Sequence, residues 1–248
     1  MTIENQHDVD GLKRVGRIVS LVLHKMLDAL EPGMTTRELD AIGARLLDQH
    51  GARSAPQLTY GFPAATCVSV NEEAAHGIPG DRVIRAGDMV NVDVSAELGG
   101  YFADTGGTRV VPPSTPAKTR LCHATREALN AAMKQARAGA RLNGIGRAIE
   151  RTARAYQLKV IENLASHGVG RALHEEPGQI PGYYDARDTR VLREGMVITI
   201  EPFLSTKSRF VEETGDGWTL AGVPGNLSAQ YEHTMIITRG APIVVTVH

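Results

Sequence analysis

The stretch VIRAGDMVNVD, residues 83–93, and its near repeat VLREGMVITIE, residues 191–201, together indicate how this chain folds. In each stretch a glycine precedes an apolar run, and a carboxylate, Asp93 or Glu201, follows that glycine six positions later. Side chains alternate between the two faces of a strand, so the valines of the first stretch lie opposite Asp93 and the isoleucines of the second lie opposite Glu201. The repeat therefore predicts an internal duplication in which two related strands direct one acid each toward a common centre.

Two helices are predicted before the first of these strands. In the first helix, apolar residues recur at spacings of three and four, and the segment 31–33, Glu-Pro-Gly, ends it. The second helix begins after Thr35, which forms a capping-box pattern with Glu38, and Gly51 is placed as its C-terminal cap. Strands are predicted at 67–70 and 89–95.

The second half of the chain repeats this order. Thr115 and Pro116 open a third helix, and a fourth runs from about residue 143 to about residue 157. The remainder, rich in Gly and Pro, is predicted to be strand and loop. Two helices followed by strands, twice over, agree with the duplication.

Composition limits the class of protein. With 248 residues, 42% of them hydrophobic, one domain over residues 1–248 is expected, with a short N-terminal segment at 1–8. The 27 Lys and Arg balance 28 Asp and Glu, which gives no field to attract nucleic acid or an anionic membrane. Cys67 and Cys122 are too few for a disulfide framework and favour a reducing compartment. The N-terminus carries no signal pattern and no apolar run approaches the ~20 residues of a membrane span, so a cytoplasmic location is expected.

Five residues have sequence settings that suit metal ligation: Asp93, Asp104, His167, Glu201 and Glu232. Four carboxylates and one imidazole match manganese, ferrous iron or cobalt better than a structural zinc held by thiolates. Glu201 and Glu232 adjoin apolar strands, so a cation or a salt bridge must compensate each charge. Asp104 lies in the glycine-rich segment 100–107, and that segment alone suggests a turn. The set as a whole points to a hydrolase.

Three of the nine histidines lie beside small residues or beside acids and proline. His167 is in SHGVG, where the glycines let the backbone turn tightly and expose the imidazole; His76 is followed by Gly-Ile-Pro and His174 by Glu-Glu-Pro. Each alone could be a capping or core histidine. Three such settings favour a functional site for the group.

The combined motifs resemble the type I methionine aminopeptidase family. They are HGIP at 76–79, NVDVS at 91–95, SHGVG at 166–170, HEEP at 174–177, TIEP at 199–202 and SAQYEHT at 228–234. The resemblance covers essentially residues 8 to 247. It implies an α+β "pita-bread" fold, in which two αβ halves related by a pseudo-twofold axis share a central curved antiparallel sheet and the chain forms a single catalytic metallopeptidase domain.

The resemblance also implies the roles of the metal ligands. Asp93 would chelate one of two divalent ions, Asp104 and Glu232 would bridge both, and His167 and Glu201 would complete the other. His174 would contact the scissile carbonyl, His76 would lie beside the scissile nitrogen, Glu201 would relay a proton, and Ser95 would hold a water. The substrate would be the N-terminal methionine of a nascent chain, whose free amine binds one ion, with a small second residue preferred.

By position relative to the motifs, the methionine pocket would consist of Thr59, Phe62, Cys67, His76, His174 and the single tryptophan, Trp218. A soft apolar lining suits a thioether. Each of these residues could instead be ordinary core packing. Leu173 departs from the family, which usually carries an aromatic residue before the histidine at 174.

Two other readings remain open. Peptidases that cleave Xaa-Pro bonds share the fold but usually carry an extra N-terminal domain, whereas this chain reaches its first helix within about ten residues. Relatives that act as binding modules have typically lost metal ligands, and all five are present here. A type II enzyme is disfavoured because residues 175–200 leave no room for its helical insertion. The family further implies a monomer that meets nascent chains at the ribosome transiently.

Overall fold

The structure, a computed structural model, describes residues 1–247 and contains five helices and fifteen short strands in that range. The helices are α1 Gln6–Ala29, α2 Thr36–Gln49, α3 Ala55–Tyr60, α4 Pro116–Met133 and α5 Asn143–Ala155. The strands are β1 Arg53–Ser54, β2 Cys67–Val70, β3 Glu73–Ala75, β4 Met89–Leu98, β5 Tyr101–Val110, β6 Lys159–Val160, β7 Ala165–Gly168, β8 Glu175–Pro181, β9 Val197–Ile200, β10 Phe203–Ser205, β11 Glu212–Glu213, β12 Leu220–Ala221, β13 Ser228–Gln230, β14 His233–Ile236 and β15 Ile243–Val244.

The first half of the chain forms a four-stranded sheet covered by α1 and α2. Its order is β1-β4-β2, and β5 also pairs with β4. Val90, Val92 and Val94 of β4 are fully buried in the same apolar cluster as the inner faces of the two helices. The alternation predicted for this strand is therefore confirmed, and its polar side chains are left to face away from that core.

The second half repeats the design with α4, α5 and a five-stranded sheet in the order β15-β14-β9-β7-β8. Ile198 and Ile200 of β9 are fully buried in a second apolar cluster that includes α4 and α5. Isolated bridges join Thr35 to Val83 and Arg141 to Val191, at the start of each repeated stretch. The predicted duplication into two αβ halves is confirmed, as is the α+β class.

The two halves meet along β5 and the start of β14. The backbone N–H of Glu232 donates to the carbonyl of Gly106 at 3.0 Å. The N–H of Asp104 donates to Oγ1 of Thr234 at 2.9 Å. One predicted ligand from each half therefore lies at the junction, as the pseudo-twofold arrangement predicts.

The helix ends follow the predicted capping chemistry. Thr35 accepts from the N–H of Glu38, whose carboxylate returns a bond to the N–H of Thr35, which completes the capping box. Gly51 adopts φ +67°, the left-handed conformation that glycine tolerates after a helix. Thr115 caps α4 by accepting from the N–H of Lys118.

Two features differ from the sequence-based expectations. The segment 100–107 is mostly strand: only Gly99 and Gly100, at φ 61° and 82°, make the turn, and β5 then pairs with β4 along its whole length. The alternative reading of Asp104 as a turn residue does not hold, because antiparallel pairing with β4 places Asp104 within a strand. The short helix α3 was not predicted; Ser54 caps it and a proline stands in its first turn.

Within residues 1–247 no helix combines the length and apolar character needed to cross a membrane.

Candidate metal centre

The five predicted ligands come from five different places in the two sheets. Asp93 is on β4 and Asp104 on β5, where β4–β5 pairing sets Asp93 opposite Gly106 and Asp104 opposite Ser95. His167 is on β7, Glu201 directly follows β9, and Glu232 directly precedes β14. Along β4 the valines Val92 and Val94 face the apolar core, so Asp93 between them faces the opposite side of the sheet.

These side chains converge. One ligand atom each from Asp104, His167 and Glu232 lies within 4.8 Å of the others. Nε2 of His167 is 3.5 Å from Oε1 of Glu201 and 3.9 Å from Oδ2 of Asp104. The carboxyl groups of Asp93 and Asp104 are neighbours, and each shifts the pKa of the other. The structure thus brings the whole predicted set together.

The cluster is buried, and its carboxyl groups repel one another. Burial raises the pKa of Asp104 well above its ordinary value, and the charges of Glu232 and Asp93 raise it further. Burial, followed by neighbouring carboxylates, likewise raises the pKa of both Glu201 and Glu232 well above the usual range. These shifts express how unfavourable four adjacent negative charges are without a compensating cation.

Within residues 1–247, no lysine or arginine forms an ion pair with these acids. Among the described residues, the imidazole of His167 is the only ion-pairing group within 4.0 Å of Asp104 and Glu201. Burial, together with the neighbouring His174, lowers the pKa of His167 to about 3, so this ring is neutral at physiological pH. A neutral imidazole is the form that ligates metal ions.

Two buried oxygens lack any partner. In the range 1–247, Oδ1 of Asp104 and Oε1 of Glu232 are the only buried side-chain polar atoms without a hydrogen bond. Leaving such an atom unpaired costs about 1–3 kcal/mol, more for charged groups. Bare carboxylate oxygens beside a neutral imidazole fit an oxygen-preferring divalent cation. The residues present therefore fit the metal that their chemistry suggests.

A cavity of about 410 Å³ opens beside these acids. Asp93, Asp104, His167 and Glu201 line its polar side, whereas Glu232, 1% exposed, lies deeper. The apolar side includes Phe62 and Trp218, whose rings meet edge to face with centroids 5.2 Å apart. Cys67, Leu173, His76 and His174 also contribute to the wall. The apolar side of the cavity therefore lies next to the acidic cluster.

Thr59, one of the residues predicted for the methionine pocket, does not line the cavity. This residue is exposed, and Pro56 and Tyr60 line the cavity wall instead. These two residues stand four apart on α3, so they share one face of the helix while Thr59 points elsewhere. Because α3 was not predicted, its helical spacing could not be used to identify Tyr60.

His76 and His174 line the cavity and are exposed to solvent. His76 has φ 55°, a left-handed conformation uncommon for a residue with a side chain and concentrated at functional sites. His174 lies over His167 with ring centroids 4.0 Å apart, and its Nδ1 is 2.7 Å from the hydroxyl of Tyr60.

Thr199 supports two of the ligands and was not singled out from the sequence as functional. Its hydroxyl donates to Oε1 of Glu201 at 3.2 Å and accepts from the backbone N–H of His167 at 3.1 Å. The polar-face position of Thr199 two residues before Glu201 is the signal that could have identified it.

Comparison with known proteins gives consistent matches. Residues 10–239 match metallopeptidase family M24. The chain is 46% identical over 99% of both chains to methionine aminopeptidase 2 of Bacillus subtilis. Its structure superposes on methionine aminopeptidase from Thermotoga maritima with TM-score 0.96 at 34% identity, covering 100% of each chain. Prolidase from Pyrococcus furiosus is more distant, with TM-score 0.78, 22% identity and 66% of that chain covered, and shares the fold.

Proposed function

This chain belongs to metallopeptidase family M24, and on that premise we propose that it is an aminopeptidase that removes the N-terminal methionine from nascent proteins and peptides. The observation that carries the proposal is the joint position of the five ligands beside an apolar cavity. The 46% identity to a methionine aminopeptidase along 99% of both chains supports the same substrate.

The proposed cofactor is a pair of divalent ions, manganese, iron or cobalt, held by Asp93, Asp104, His167, Glu201 and Glu232. Asp104 and Glu232 lie at the junction of the two halves and each retains an unpartnered oxygen, so both residues would be available to both ions. When bound, such ions act as Lewis acids toward a carbonyl and lower the pKa of water to near neutrality.

The side chains around the ions then have separate tasks. His174, which lines the cavity, donates a hydrogen bond to the scissile carbonyl oxygen and stabilises the charge that develops there. His76 lies beside the scissile nitrogen. Glu201 accepts a proton from the attacking water and passes it toward the leaving amine. Ser95, paired with Asp104 across β4 and β5, orients a water.

Methionine specificity is assigned to the apolar side of the cavity. Phe62 and Trp218 present aromatic edges and faces to a thioether, and sulfur–aromatic contacts of this kind contribute about 0.3–1.5 kcal/mol. Cys67 extends the same wall of the cavity, and Tyr60 lines it where Thr59 does not. We include a preference for a small second residue in the proposal on the resemblance to the family.

The proposed site recognises the free α-amine of the substrate. Because only a chain terminus carries this amine, the enzyme would be an exopeptidase. Carboxyl groups that would hold the ions line the cavity, so a free N-terminal amine that enters the cavity would meet those ions. The proposed partners are therefore the N-termini of nascent polypeptides, which the enzyme meets transiently at the ribosome. The proposed enzyme is a monomer with one catalytic domain.

The proposed compartment is the cytoplasm, where the two free thiols, Cys67 and Cys122, remain reduced.

The alternative is cleavage of Xaa-Pro bonds, which the likeness to prolidase raises at the level of fold. A peptide panel separates the two activities: Met-Ala-Ser, Met-Gly-Ser and Met-Leu-Ser beside Ala-Pro and Met-Pro substrates, each with manganese, iron or cobalt. We expect release of methionine from the first two peptides. Cleavage confined to bonds before proline would replace the proposal, and no cleavage with any metal would favour a binding module.

A further inference from the structure

The side chain of Gln230 is fully buried at the junction of the two halves and contacts the metal-ligand cluster. Its Nε2 donates to Oε2 of Glu232 at 2.9 Å. The NH2 group of Gln230 therefore serves a carboxylate of the second half.

The other end of the same amide is held from the first half. Oε1 of Gln230 accepts from Nδ2 of Asn91 at 2.9 Å, and that Nδ2 also reaches Oγ1 of Thr108 at 3.2 Å. Asn91 is on the polar face of β4, two positions before Asp93. Its amide nitrogen is a donor only, so it faces the carbonyl end of Gln230.

This contact sets the orientation of the Gln230 amide. If the amide were turned round, its NH2 would face the NH2 of Asn91 and its carbonyl oxygen would face the Glu232 carboxylate. Both contacts would be repulsive in a buried site, where unpaired polar groups are costly. Asn91 thus determines that Gln230 presents its donor to Glu232.

The two carboxylate oxygens of Glu232 differ in their hydrogen-bond partners. Oε2 is bound by Gln230, whereas Oε1 has no partner. We propose that Gln230 is a positioning residue: oriented by Asn91, it holds Glu232 so that Oε1 is left available to a divalent cation. The inference rests on the proposed function, because it requires that the cluster bind metal.

Gly106 provides the space that Gln230 occupies. A Cβ at Gly106 would lie 2.2 Å from Oε1 and 2.5 Å from Nε2 of Gln230, closer than atoms approach. The obstructing atoms are the end of a flexible side chain, so a methyl group here would displace the amide and leave the strand in place. At Gly107 a Cβ would meet only side-chain carbons, the nearest being Cδ1 of Leu27 at 3.3 Å.

The test compares four variants of the full chain, prepared free of metal and titrated with Mn²⁺ by calorimetry. Gln230→Met keeps the length of the side chain but removes the amide, and Gly106→Ala displaces the amide without removing it. Gly107→Ala is the matched control for the backbone. Asn226→Ala is the control for stability, because Asn226 is a buried amide bonded to Lys207, Ser208 and Ser228 rather than to the cluster.

We expect Gln230→Met and Gly106→Ala to weaken Mn²⁺ binding about 10- to 100-fold, the range seen when groups that orient metal ligands are removed. The visible absorption spectrum of bound Co²⁺ should change in both. Gly107→Ala and Asn226→Ala should bind Mn²⁺ as wild type does, even where the melting temperature falls.

Three results would overturn the inference. Wild-type affinity in Gly106→Ala, with an unchanged Co²⁺ spectrum, would show that displacing the amide has no effect on the ligands. Equal weakening in Asn226→Ala would show that affinity merely follows stability. Absence of Mn²⁺ binding by wild type would overturn the proposed function as well, which distinguishes that failure from failure of the positioning role alone.

Discussion

The hydroxyl of Tyr60 lies 2.7 Å from Nδ1 of His174, across the boundary between the two halves of the molecule. Tyr60 ends α3 in the first half, and His174 precedes β8 in the second. With Nδ1 engaged, Nε2 is the ring nitrogen that remains for a substrate. The hydroxyl therefore fixes both the ring plane and the nitrogen that is presented.

Tyr60→Phe removes this hydrogen bond and keeps the ring. Since a hydrogen bond contributes about 0.5–1.5 kcal/mol net, we expect kcat on Met-Ala-Ser to fall about three- to tenfold, with a smaller change in KM. Tyr184→Phe is the control, because Tyr184 is a surface residue whose ring stacks with Arg147 and keeps that contact as Phe. An unchanged kcat in Tyr60→Phe would show that the hydroxyl does not orient His174.

His174→Ala removes the proposed donor to the scissile carbonyl. Loss of one such donor typically reduces kcat by about 100- to 1000-fold, and we expect an effect of at least 100-fold here, with metal content unchanged. Kinetics and elemental analysis measure the two quantities. His123→Ala, on the exposed face of α4, should behave as wild type. An effect on KM alone would contradict the role in the transition state.

Removal of metal should abolish turnover. The cluster offers four carboxylates and a neutral imidazole and has no basic partner other than that imidazole within 4.0 Å of Asp104 and Glu201 in the described residues. We expect a chelator to stop cleavage of Met-Ala-Ser and manganese, iron or cobalt to restore it. Full activity in protein shown to be metal-free would reject the mechanism.

Acetylation of the substrate should block cleavage. The ions of the proposed site would bind a free amine, and an acetyl group removes the basic lone pair that this binding needs. Met-Ala-Ser and its N-acetyl form can be compared by chromatography at equal concentration. Cleavage of the blocked peptide at a similar rate would show that the amine is not a required handle.

Asp8 is predicted to stabilise the fold above pH 4. A hydrogen bond from the N–H of Glu4, with further contributions from Tyr101 and Arg171, lowers the pKa of Asp8 below its ordinary 3.8. A folded-state pKa below the unfolded value means that the stabilisation is complete above about 3.8 and is lost as the pH falls below it.

Asp8→Asn should therefore lower the melting temperature at pH 7, by about 2–4 °C for each kcal/mol lost in a chain of this length. The difference from wild type should shrink as the pH is taken below 4. Asp10→Asn is the control, since Asp10 is exposed on the same helix and bonds only the Gln6 side chain among the contacts described. A difference that does not change with pH would contradict the ionic contribution.

Much of the fold could be read from local patterns. The spacing of apolar residues predicted α1, α2, α4 and α5, and capping residues such as Thr35 and Thr115 located their starts. The repeated glycine, strand and acid predicted the duplication. Local patterns left two readings open at 100–107, a turn or a strand, and long-range pairing with β4 makes most of it a strand.

The sequence by itself determined the chemical inventory: five candidate ligands, a second-half copy of the first-half design, and motifs that resemble an aminopeptidase family. The duplication follows from alternation and spacing, which act between residues close in the chain, whereas the resemblance rests on the motifs themselves. Tertiary structure alone decided that Tyr60 rather than Thr59 lines the cavity, that Asn91 orients Gln230, and that Asp104 and Glu232 each keep an unpartnered oxygen. Those contacts join residues more than a hundred positions apart, and only the packing of the two halves sets their distances.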